Sequence, residues 1–452
     1  MTFEAPGPGE WQLEAGHRGR RPLTAFLGAA HCRAFERGNE QLLARYGLPL
    51  AGVRAVLVNG CEYVRPYGIG EGNRPKPAPP LPVLKLLVRL HPELRRRNRA
   101  AVNAWRDKRW RSEVDEWFDR ERSAAIERNL SLQRVDLVHG SDEELVSHIA
   151  DLLAHYETAL TNLMANHGGD LMPVGDYLSH ATGWGIGVDH ASALLRGSSP
   201  ATIETTRLLA PAARAIAAAV SMPTSVDMVR ALDPTARDAV DGWLERHGHR
   251  LLTSDDIDRA MLSERPALQL ATLLALAATP AIDQSPPDPM PIREQVPTDH
   301  RSLFDDLLTE ARYGLRQRDD KVGICLNWPA GLIRRAVLEA GARLTHKGLI
   351  QHPEHAVELA PDEVGPLLFS GTGPTASQLA ERASWRDEIE RAVPPSRLGS
   401  PETPPPLTPC RRPWLERPPP CSLLCPPNRP SRFVAPGSAL GSTKAGPAWR
   451  PP

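Results

Sequence analysis

Residues 302–363 decide the fold, and they read SLFDDLLTEARYGLRQRDDKVGICLNWPAGLIRRAVLEAGARLTHKGLIQHPEHAVELAPDE. In the second half, apolar side chains recur at the spacing of one helix face, at Ile333, Ala336, Val337, Ala340 and Leu344. Pro329 stands near the start of this helix and Gly348 follows its end, which is the usual asymmetry of helix termini. The first half predicts another helix, with an inward face formed by Leu303, Phe304, Leu307, Leu308 and Ala311. The stretch therefore predicts a helical hairpin around a short polar hinge.

The end of the first helix carries a dense charged rim, formed by Glu310, Arg312, Arg316, Arg318, Asp319, Asp320 and Lys321. One interpretation is a set of solvated ion pairs, each of which contributes little to stability. The other is a clamp for an anion or a phosphate group, in which Arg312, Arg316 and Arg334 converge on a ligand. The sequence does not distinguish this convergence from simple pairing with the carboxylates of the rim.

The composition bounds the class of protein. The chain has 452 residues, enough for about two or three domains, and its 54 basic and 54 acidic side chains give a net charge of zero. This balance argues against a general attraction to nucleic acid or to an anionic membrane. Six cysteines, with no paired metal spacing in the body of the chain, suit a reducing compartment, and neither a signal peptide nor a membrane-spanning run is visible. We therefore expect a cytoplasmic protein with no nucleic-acid partner and no membrane partner.

Most of the remaining chain has helical periodicity, so the fold is predicted to be mainly α. A helix is expected over residues 141–168, because Ser141 and Glu144 form a capping-box pattern ahead of a regular apolar face. One small β-hairpin is expected near the amino terminus, where Asn59–Gly60 separates β-forming residues. His148 and His155 have no third ligand at helical spacing, so no metal site is predicted.

Residues 83–129 combine arginine and tryptophan in a pattern that fits either a surface that binds nucleic acid or a long amphipathic helix. Basic residues at 95–97, 99, 106, 108, 109 and 111 interleave with Trp105 and Trp110, as in surfaces that bind nucleic acid. Acidic residues follow at once at 113, 115, 116, 119 and 121, and they offset that charge. The whole pattern favours a long amphipathic helix with mixed-charge faces.

Three groups of spaced residues occur in a fixed order along the chain. The first group consists of Trp11, Glu14, His17 and Pro22. The middle group consists of Gly248, His249, Arg250, Asp256, Asp258, Glu264, Arg265 and Pro266. The last group consists of Arg318, Asp319, Asp320, Gly341, Arg343, Leu344, Gly348, Pro353, Glu354, Val357, Leu359 and Glu363. Together, over about residues 1–407, they resemble the helical central domain of phosphoenolpyruvate-utilising phosphotransferases, such as phosphoenolpyruvate synthase and, closest in layout, rifampin phosphotransferase.

The resemblance implies an acceptor-binding domain that receives a phosphoryl group from a mobile phosphohistidine domain, which an ATP-grasp domain loads. The candidate substrate-binding residues are His17, His249, Arg250, Arg312, Arg316 and Arg334, and no catalytic residue or metal ligand is assigned. His17 has a structural alternative, a hydrogen bond to the backbone, and His249 and Arg250 equally suit the end of a helix. ATP and Mg²⁺ are implied only for the missing family domains, so no cofactor is expected on this chain.

Three segments are predicted: an amino-terminal segment at 1–82 that ends in a proline-rich connector, a helical acceptor-binding domain at 83–395, and a tail at 396–452. The tail holds Cys410, Cys421 and Cys425 among clustered proline and arginine without hydrophobic periodicity, so it is predicted to be disordered. It lacks the phosphohistidine motif that the resemblance places there. Two explanations are an out-of-frame translation from about residue 408 and a genuine proline-rich interaction tail.

Because the ATP-grasp and phosphohistidine domains are missing from this chain, we expect it to be inactive alone. Its expected partner is a small-molecule acceptor whose identity the sequence does not give. In one alternative, the two missing domains are supplied by separate chains that assemble with this one. In another, the chain is a non-enzymatic helical protein that binds a ligand or a partner.

Overall fold

The structure, a computed structural model, describes residues 2–14, 21–72, 81–252, 256–279 and 286–400. They form the predicted mainly helical fold, with one small antiparallel sheet. The strands are β1 (Glu10–Leu13), β2 (Leu50–Val58), β3 (Cys61–Gly68) and β4 (Arg397–Gly399). The helices are α1 (Ala25–Arg45), α2 (Leu81–Leu90), α3 (Pro92–Arg106), α4 (Arg109–Glu116), α5 (Arg122–Gln133), α6 (Asp142–Ala165), α7 (Gly168–Gly183), α8 (Val188–Ala193), α9 (Ala201–Ala218), α10 (Val226–Arg230), α11 (Pro234–His247), α12 (Pro266–Ala278), α13 (Met290–Arg293), α14 (Arg301–Leu315), α15 (Arg318–Val322), α16 (Trp328–His346), α17 (Pro361–Ser370) and α18 (Ala376–Arg391).

Some of the predicted features lie outside the described residues. These are the candidate residue His17, most of the proline-rich connector and the tail from residue 401 onward. None of the described helices is long and apolar enough to cross a bilayer.

The predicted hairpin is confirmed, and it belongs to a larger sheet. β2 and β3 pair around Asn59 and Gly60, whose φ values of 51° and 74° are those that a tight two-residue turn requires. β1 pairs with β3, and β4 pairs with β1, so the strand order is β2–β3–β1–β4. The segment of β4 was predicted to be linker, but Leu398 is buried in one apolar cluster with Trp11 and so fixes the strand against the sheet.

Most of the described helices pack around three clusters of buried side chains, and α2 and α3 pack around a smaller one. The largest cluster takes residues from α1, α6, α16, α17 and α18. A second lies between α7, α8 and α14, and a third between α9, α10, α11 and α12. The predicted capping box holds the start of α6, where the Ser141 and Glu144 side chains each accept a hydrogen bond from the other's backbone N–H.

The buried stripe predicted on residues 333–344 is confirmed, since all five apolar side chains are at most 1% exposed in α16. The predicted hairpin of α14 and α16 is wrong. The hinge between them is itself helical, formed by α15 and a π-helical turn at Gly323–Asn327, and the two helices join different apolar clusters. Leu303, expected to face inward, is 40% exposed, because the cluster around α14 is closed by the next residue, Phe304.

Residues 83–129 are likewise not one long helix. They contain parts of α2 and α5 with α3 and α4 between them, and a second π-helical turn at Trp117–Glu121. Single π-helical turns recur at functional sites, because the extra residue displaces side chains from regular helical positions. The polar interior beside the two turns is therefore a candidate region for a functional site.

Candidate functional site

The turn that follows α11 separates two polar regions, and two of the predicted site residues lie in it. α11 ends at His247, and the chain then passes through Gly248, His249 and Arg250 to an isolated β-bridge at Leu251. The turn presses against α16 at Gly331: a β-carbon there would lie 1.6 Å from the carbonyl oxygen of His249. Only glycine permits this approach, which fixes the turn in place.

On the inner side of the turn lies a charged group that we call the inner cluster, formed by Arg122, Glu204, Arg246, Arg250, Asp320 and Lys321. Arg122 connects two carboxylates, because its Nε donates to Asp320 Oδ2 at 2.7 Å and its Nη2 donates to Glu204 Oε2 at 2.8 Å. Arg246 donates to the other oxygen of Glu204 at 3.0 Å. Two of the four cations thus bind the two carboxylates, and neither Arg250 nor Lys321 has an ion pair to a carboxylate among the described residues.

Arg250 has no carboxylate partner among the described residues, although it lies in the interior. Its guanidinium carbon is 5.3 Å from the centre of the Trp328 ring, and its buried Nε makes no hydrogen bond to any described residue. Burial lowers the pKa of Arg250 to about 10, while the negative charges of Glu204 and Asp320 oppose the shift. The arginine is therefore still charged at neutral pH, and its charge is satisfied mainly by an aromatic face.

Lys321 repeats this arrangement on the opposite side of Asp320. Its Nζ lies 5.0 Å from the centre of the Trp117 ring and makes no hydrogen bond within the described part of the chain, and the residue is 4% exposed. Burial lowers the pKa of Lys321. Trp117 also donates from Nε1 to Asp320 Oδ2 at 2.9 Å, so one π-helical turn is bound directly to the inner cluster.

A further buried polar group lies one helical turn before Lys321. Gln317 is 1% exposed, and neither of its side-chain polar atoms has a hydrogen-bond partner among the described residues. Asp170 is also buried; burial would raise its pKa, but His167 at 3.2 Å and Arg318 at 3.6 Å lower it. Buried groups without partners are rare in native proteins and usually mark a bound water, an ion or a functional site.

On the outer side of the turn lies an open cleft of about 510 Å³. Its lining is mostly polar and consists of Gln133, Arg230, Asp241, Leu244, Glu245, Gly248, His249, Ser263 and Gln269. Burial, assisted by the positive charge of Arg335, lowers the pKa of His249 to about 4, so the ring is neutral at neutral pH. Its Nδ1 makes no hydrogen bond to any residue that the structure describes.

The cleft and the inner cluster are joined through Trp328, the first residue of α16. The indole Nε1 donates to Oε1 of Gln133, a lining residue of the cleft, at 2.9 Å. The guanidinium of Arg250 lies over the face of the same ring. Carboxylates, amides and a neutral imidazole around one open space provide donors and acceptors for a ligand with several hydroxyl or other polar groups.

Of the other described candidates, Arg312, Arg316 and Arg334 do not line the cleft at His249, and Arg250 lies on the inner side of the turn. Arg334 forms a bidentate ion pair with Glu264, at 2.8 Å for both bonds, and donates its third bond to the carbonyl of Ile257. Arg312 donates to the carbonyls of Leu194 and Pro287, at 2.9 Å each. Arg316 lies over the rings of Phe118 and Tyr313, at 5.1 and 5.3 Å.

The rim carboxylates have partners that the sequence did not indicate. Glu310 is buried and accepts hydrogen bonds from Lys108, Trp110 and Arg111, at 2.6–2.9 Å. Asp320 is bound by Arg122 and Trp117, as above. The two interpretations of the rim, pairing within it and binding a ligand, were therefore incomplete, because cations from α4 and α5 bind its carboxylates. Sequence reasoning also missed Arg122, Gln317 and Trp328, for which no local motif exists.

Many residues of the three spaced groups hold segments of the fold together. Asp256 accepts hydrogen bonds from the backbone and the hydroxyl of Thr24, at 2.6 and 2.8 Å, and so links the turn region to the start of α1. Arg343 donates to Asp142 and to the carbonyls of Leu137 and Gly140. At Gly341, a β-carbon would lie 2.2 Å from the carbonyl oxygen of Pro353. The spacing of these residues therefore has a structural explanation whatever the ligand.

Within the described residues, no group of three or more His, Cys, Asp or Glu side chains has the arrangement of a metal site. No model of a known protein family matches the chain, and no curated protein is similar to it in sequence.

Proposed function

We propose that the described helical region is the acceptor-binding part of a phosphotransferase that acts through a phosphohistidine, and that it binds a hydroxyl-bearing small molecule in the cleft at His249. Two observations support the proposal. The spaced residue groups resemble phosphoenolpyruvate synthase and rifampin phosphotransferase, and one of those groups contains the turn that forms the cleft. The observation that carries it is the neutral ring of His249 in the lining of a polar cleft, with a buried Nδ1 that no described residue binds.

The chemistry of acceptor binding follows from that geometry. The neutral ring of His249 has one nitrogen that donates and one that accepts, and through it His249 orients a hydroxyl group of the acceptor. Asp241, Glu245 and Gln269 line the same cleft, where they pair with further donors on the ligand. The inner cluster lies behind the turn and places positive charge near the point to which the phosphoryl group is delivered.

In this proposal the described region binds the acceptor, and phosphoryl loading belongs to an ATP-grasp domain and a phosphohistidine domain outside that region. ATP and Mg²⁺ act on those domains, because phosphoryl transfer requires cations that hold the nucleotide phosphates. The phosphohistidine domain then delivers its group to the hydroxyl oxygen in the cleft. The intracellular location expected from the composition is part of the same proposal.

Ligand binding is tested first, with thermal shift and calorimetry against pyruvate, aromatic alcohols and an ansamycin. We expect at least one class to raise the melting temperature of the native chain and of His190→Ala, a change at an exposed histidine away from the cleft. The His249→Ala variant should lose that shift. If no class binds, or if His249→Ala binds as well as the native chain, the cleft is not the acceptor site.

Transfer is tested with the same acceptor, by mixing the chain with candidate ATP-grasp and phosphohistidine proteins and radiolabelled ATP. Label on the acceptor that depends on all three components supports the phosphotransferase. Binding without transfer by any tested pair favours the alternative, a helical protein that binds a ligand without catalysis.

A further inference from the structure

A surface away from the cleft and the inner cluster combines exposed apolar side chains with unopposed positive charge. We call it the α2–α3 surface. Its apolar part is formed by Val83, Leu86, Leu87 and Leu90, which are between 36 and 66% exposed. Its basic part is formed by the exposed arginines Arg89, Arg95 and Arg99.

The four apolar residues occupy one face of α2, since they stand at positions i, i+3, i+4 and i+7. The opposite face holds the helix to the protein: Val88 is 3% exposed and packs in a cluster with Leu94 and Ala101. The face of α2 that carries Val88 thus packs against α3, and the face with the four apolar residues points outward. Contiguous apolar surface of this kind on a monomer usually marks an interaction site.

The positive charge beside the stripe is not offset within these helices. Glu93 is the only carboxylate in α2 and α3, and it accepts hydrogen bonds from Arg96 at 2.7 Å and from Arg97 at 2.8 Å. These bonds lower the pKa of Glu93 to about 2, so the carboxylate is ionised and pairs with two arginines of its own helix. No ion pair joins Arg89, Arg95 or Arg99 to a carboxylate among the described residues, so these arginines leave a local excess of positive charge.

This charge restricts what can cover the stripe. Residues 401–452 carry seven basic and two acidic side chains, so they would bring like charge to the surface. A second copy of the chain, docked through the same face, would oppose arginine to arginine. The occupant therefore needs negative charge around an apolar interior.

We propose that the α2–α3 surface docks on an anionic lipid bilayer, with α2 lying in the plane of the interface. An amphipathic helix with an exposed apolar face and basic side chains nearby suits this position, because the apolar face enters the acyl boundary while the arginines lie among the headgroups. A protein partner would need a matching apolar groove bordered by carboxylates. The zero net charge of the chain, which argued against membranes, is an average over a surface whose charges are locally segregated.

The test uses the full-length chain and extruded vesicles, one set of phosphatidylcholine and one of phosphatidylcholine with phosphatidylglycerol. We expect sedimentation with the phosphatidylglycerol vesicles at low salt, release at high salt, and little binding to neutral vesicles. Arg95→Glu with Arg99→Glu should weaken the partition coefficient by about fivefold or more for each arginine. Leu86→Ser with Leu90→Ser should also lower it, because the apolar insertion is lost.

Two substitutions elsewhere serve as matched controls. Trp385→Ser removes an apolar side chain of comparable exposure from α18, and Arg237→Glu reverses an exposed charge on α11. Both should bind like the native chain. A fluorophore attached at Leu90→Cys should shift to the blue with anionic vesicles, which reports insertion even if the double variants unfold. Absence of binding, equal binding to neutral vesicles, or native binding by both α2–α3 variants would overturn the proposal, and the first result would favour a protein groove.

Discussion

The guanidinium of Arg250 lies on the face of the Trp328 ring, 5.3 Å from its centre, in place of the carboxylate that a buried arginine usually has. The neighbouring Arg122 binds both carboxylates of the inner cluster. Two arginines in one cluster therefore differ in the sign of their contribution to folding.

Replacing Arg250 by methionine should raise the free energy of unfolding. The folded-state pKa of about 10 lies below the ordinary value of 12.5, so the charged form is disfavoured in the folded protein, and the penalty is complete below pH 10. Each pKa unit corresponds to about 1.4 kcal/mol of free energy. The variant regains this penalty but loses the contact with Trp328, so we expect the free energy of unfolding to rise by ~2 kcal/mol in urea denaturation at pH 7. Arg122→Met is the control and should lose ~2 kcal/mol or more, because Asp320 is then buried without its main partner. Equal losses in both variants would contradict the assignment.

Acid should destabilise the protein between pH 6.5 and 4. The pKa of His249 is lowered to about 4 by burial, so the unfolded chain takes up a proton in this range and the folded chain does not. The stability is full above pH 6.5 and falls as the pH approaches 4; His155, with a pKa of about 4 for the same reason, acts in the same direction. His249→Gln should remove up to ~3 kcal/mol of this dependence, measured as urea midpoints across the range. If the urea midpoint of His249→Gln depends on pH as strongly as that of the native chain and of His190→Gln, a change at an exposed histidine, the prediction is wrong.

Two glycine substitutions should have opposite effects. Gly331→Ala places a β-carbon against the His249 carbonyl, and the backbone of the turn must move, so we expect a loss of ~3 kcal/mol and loss of ligand binding in the cleft. Gly242 lies within α11 with no atom within 4 Å of a β-carbon position, so Gly242→Ala should stabilise by about 0.5–1 kcal/mol. Thermal and chemical denaturation of the pair check this, and a tolerated Gly331→Ala would refute the close approach.

Arg334 should matter for folding and not for ligand binding. Its side chain is 9% exposed and its pair with Glu264 is bidentate, so Arg334→Ala should cost about 3 kcal/mol by leaving a carboxylate without its partner. The exposed pair of Arg230 and Asp241 is the comparison, and Arg230→Ala should cost less than about 1 kcal/mol. Calorimetry with any ligand of the cleft should give the native affinity for Arg334→Ala wherever it is folded. A selective loss of affinity would restore Arg334 as a binding residue.

Local patterns predicted the fold well where one segment determines its own conformation. The Asn59–Gly60 turn, the Ser141–Glu144 cap and the stripe on α16 each depend on neighbours within a few residues, and all three were confirmed. The hairpin of α14 and α16 was wrong because a π-helical turn replaced the hinge. Nothing in the sequence around Gly323 distinguishes such a turn from a loop.

The candidate site could be predicted only in part, because its members meet through tertiary contacts. His249 and Arg250 were found because they are adjacent in one motif. Arg122, Asp320 and Trp328 are separated by up to about 200 residues, and their partnership depends on how α5, α15 and α16 pack. The sequence left open whether Arg312, Arg316 and Arg334 meet one ligand or pair with the rim carboxylates. Their contacts in the structure are carbonyl groups, aromatic rings and Glu264.

The pairing of β1 with β4 determines how the described region responds to force. Glu10 lies opposite Gly399 and Gln12 opposite Arg397, so the chain before β1 and the chain after β4 leave the sheet at the same end. Tension applied through those two flanking segments would therefore separate the pairs one after another, beginning at Glu10 and Gly399, and would not shear all of them at once. The buried Leu398 and the ion pair of Arg397 with Glu10 at 2.6 Å then resist peeling, so the strength of this junction depends on side chains as well as on the number of hydrogen bonds.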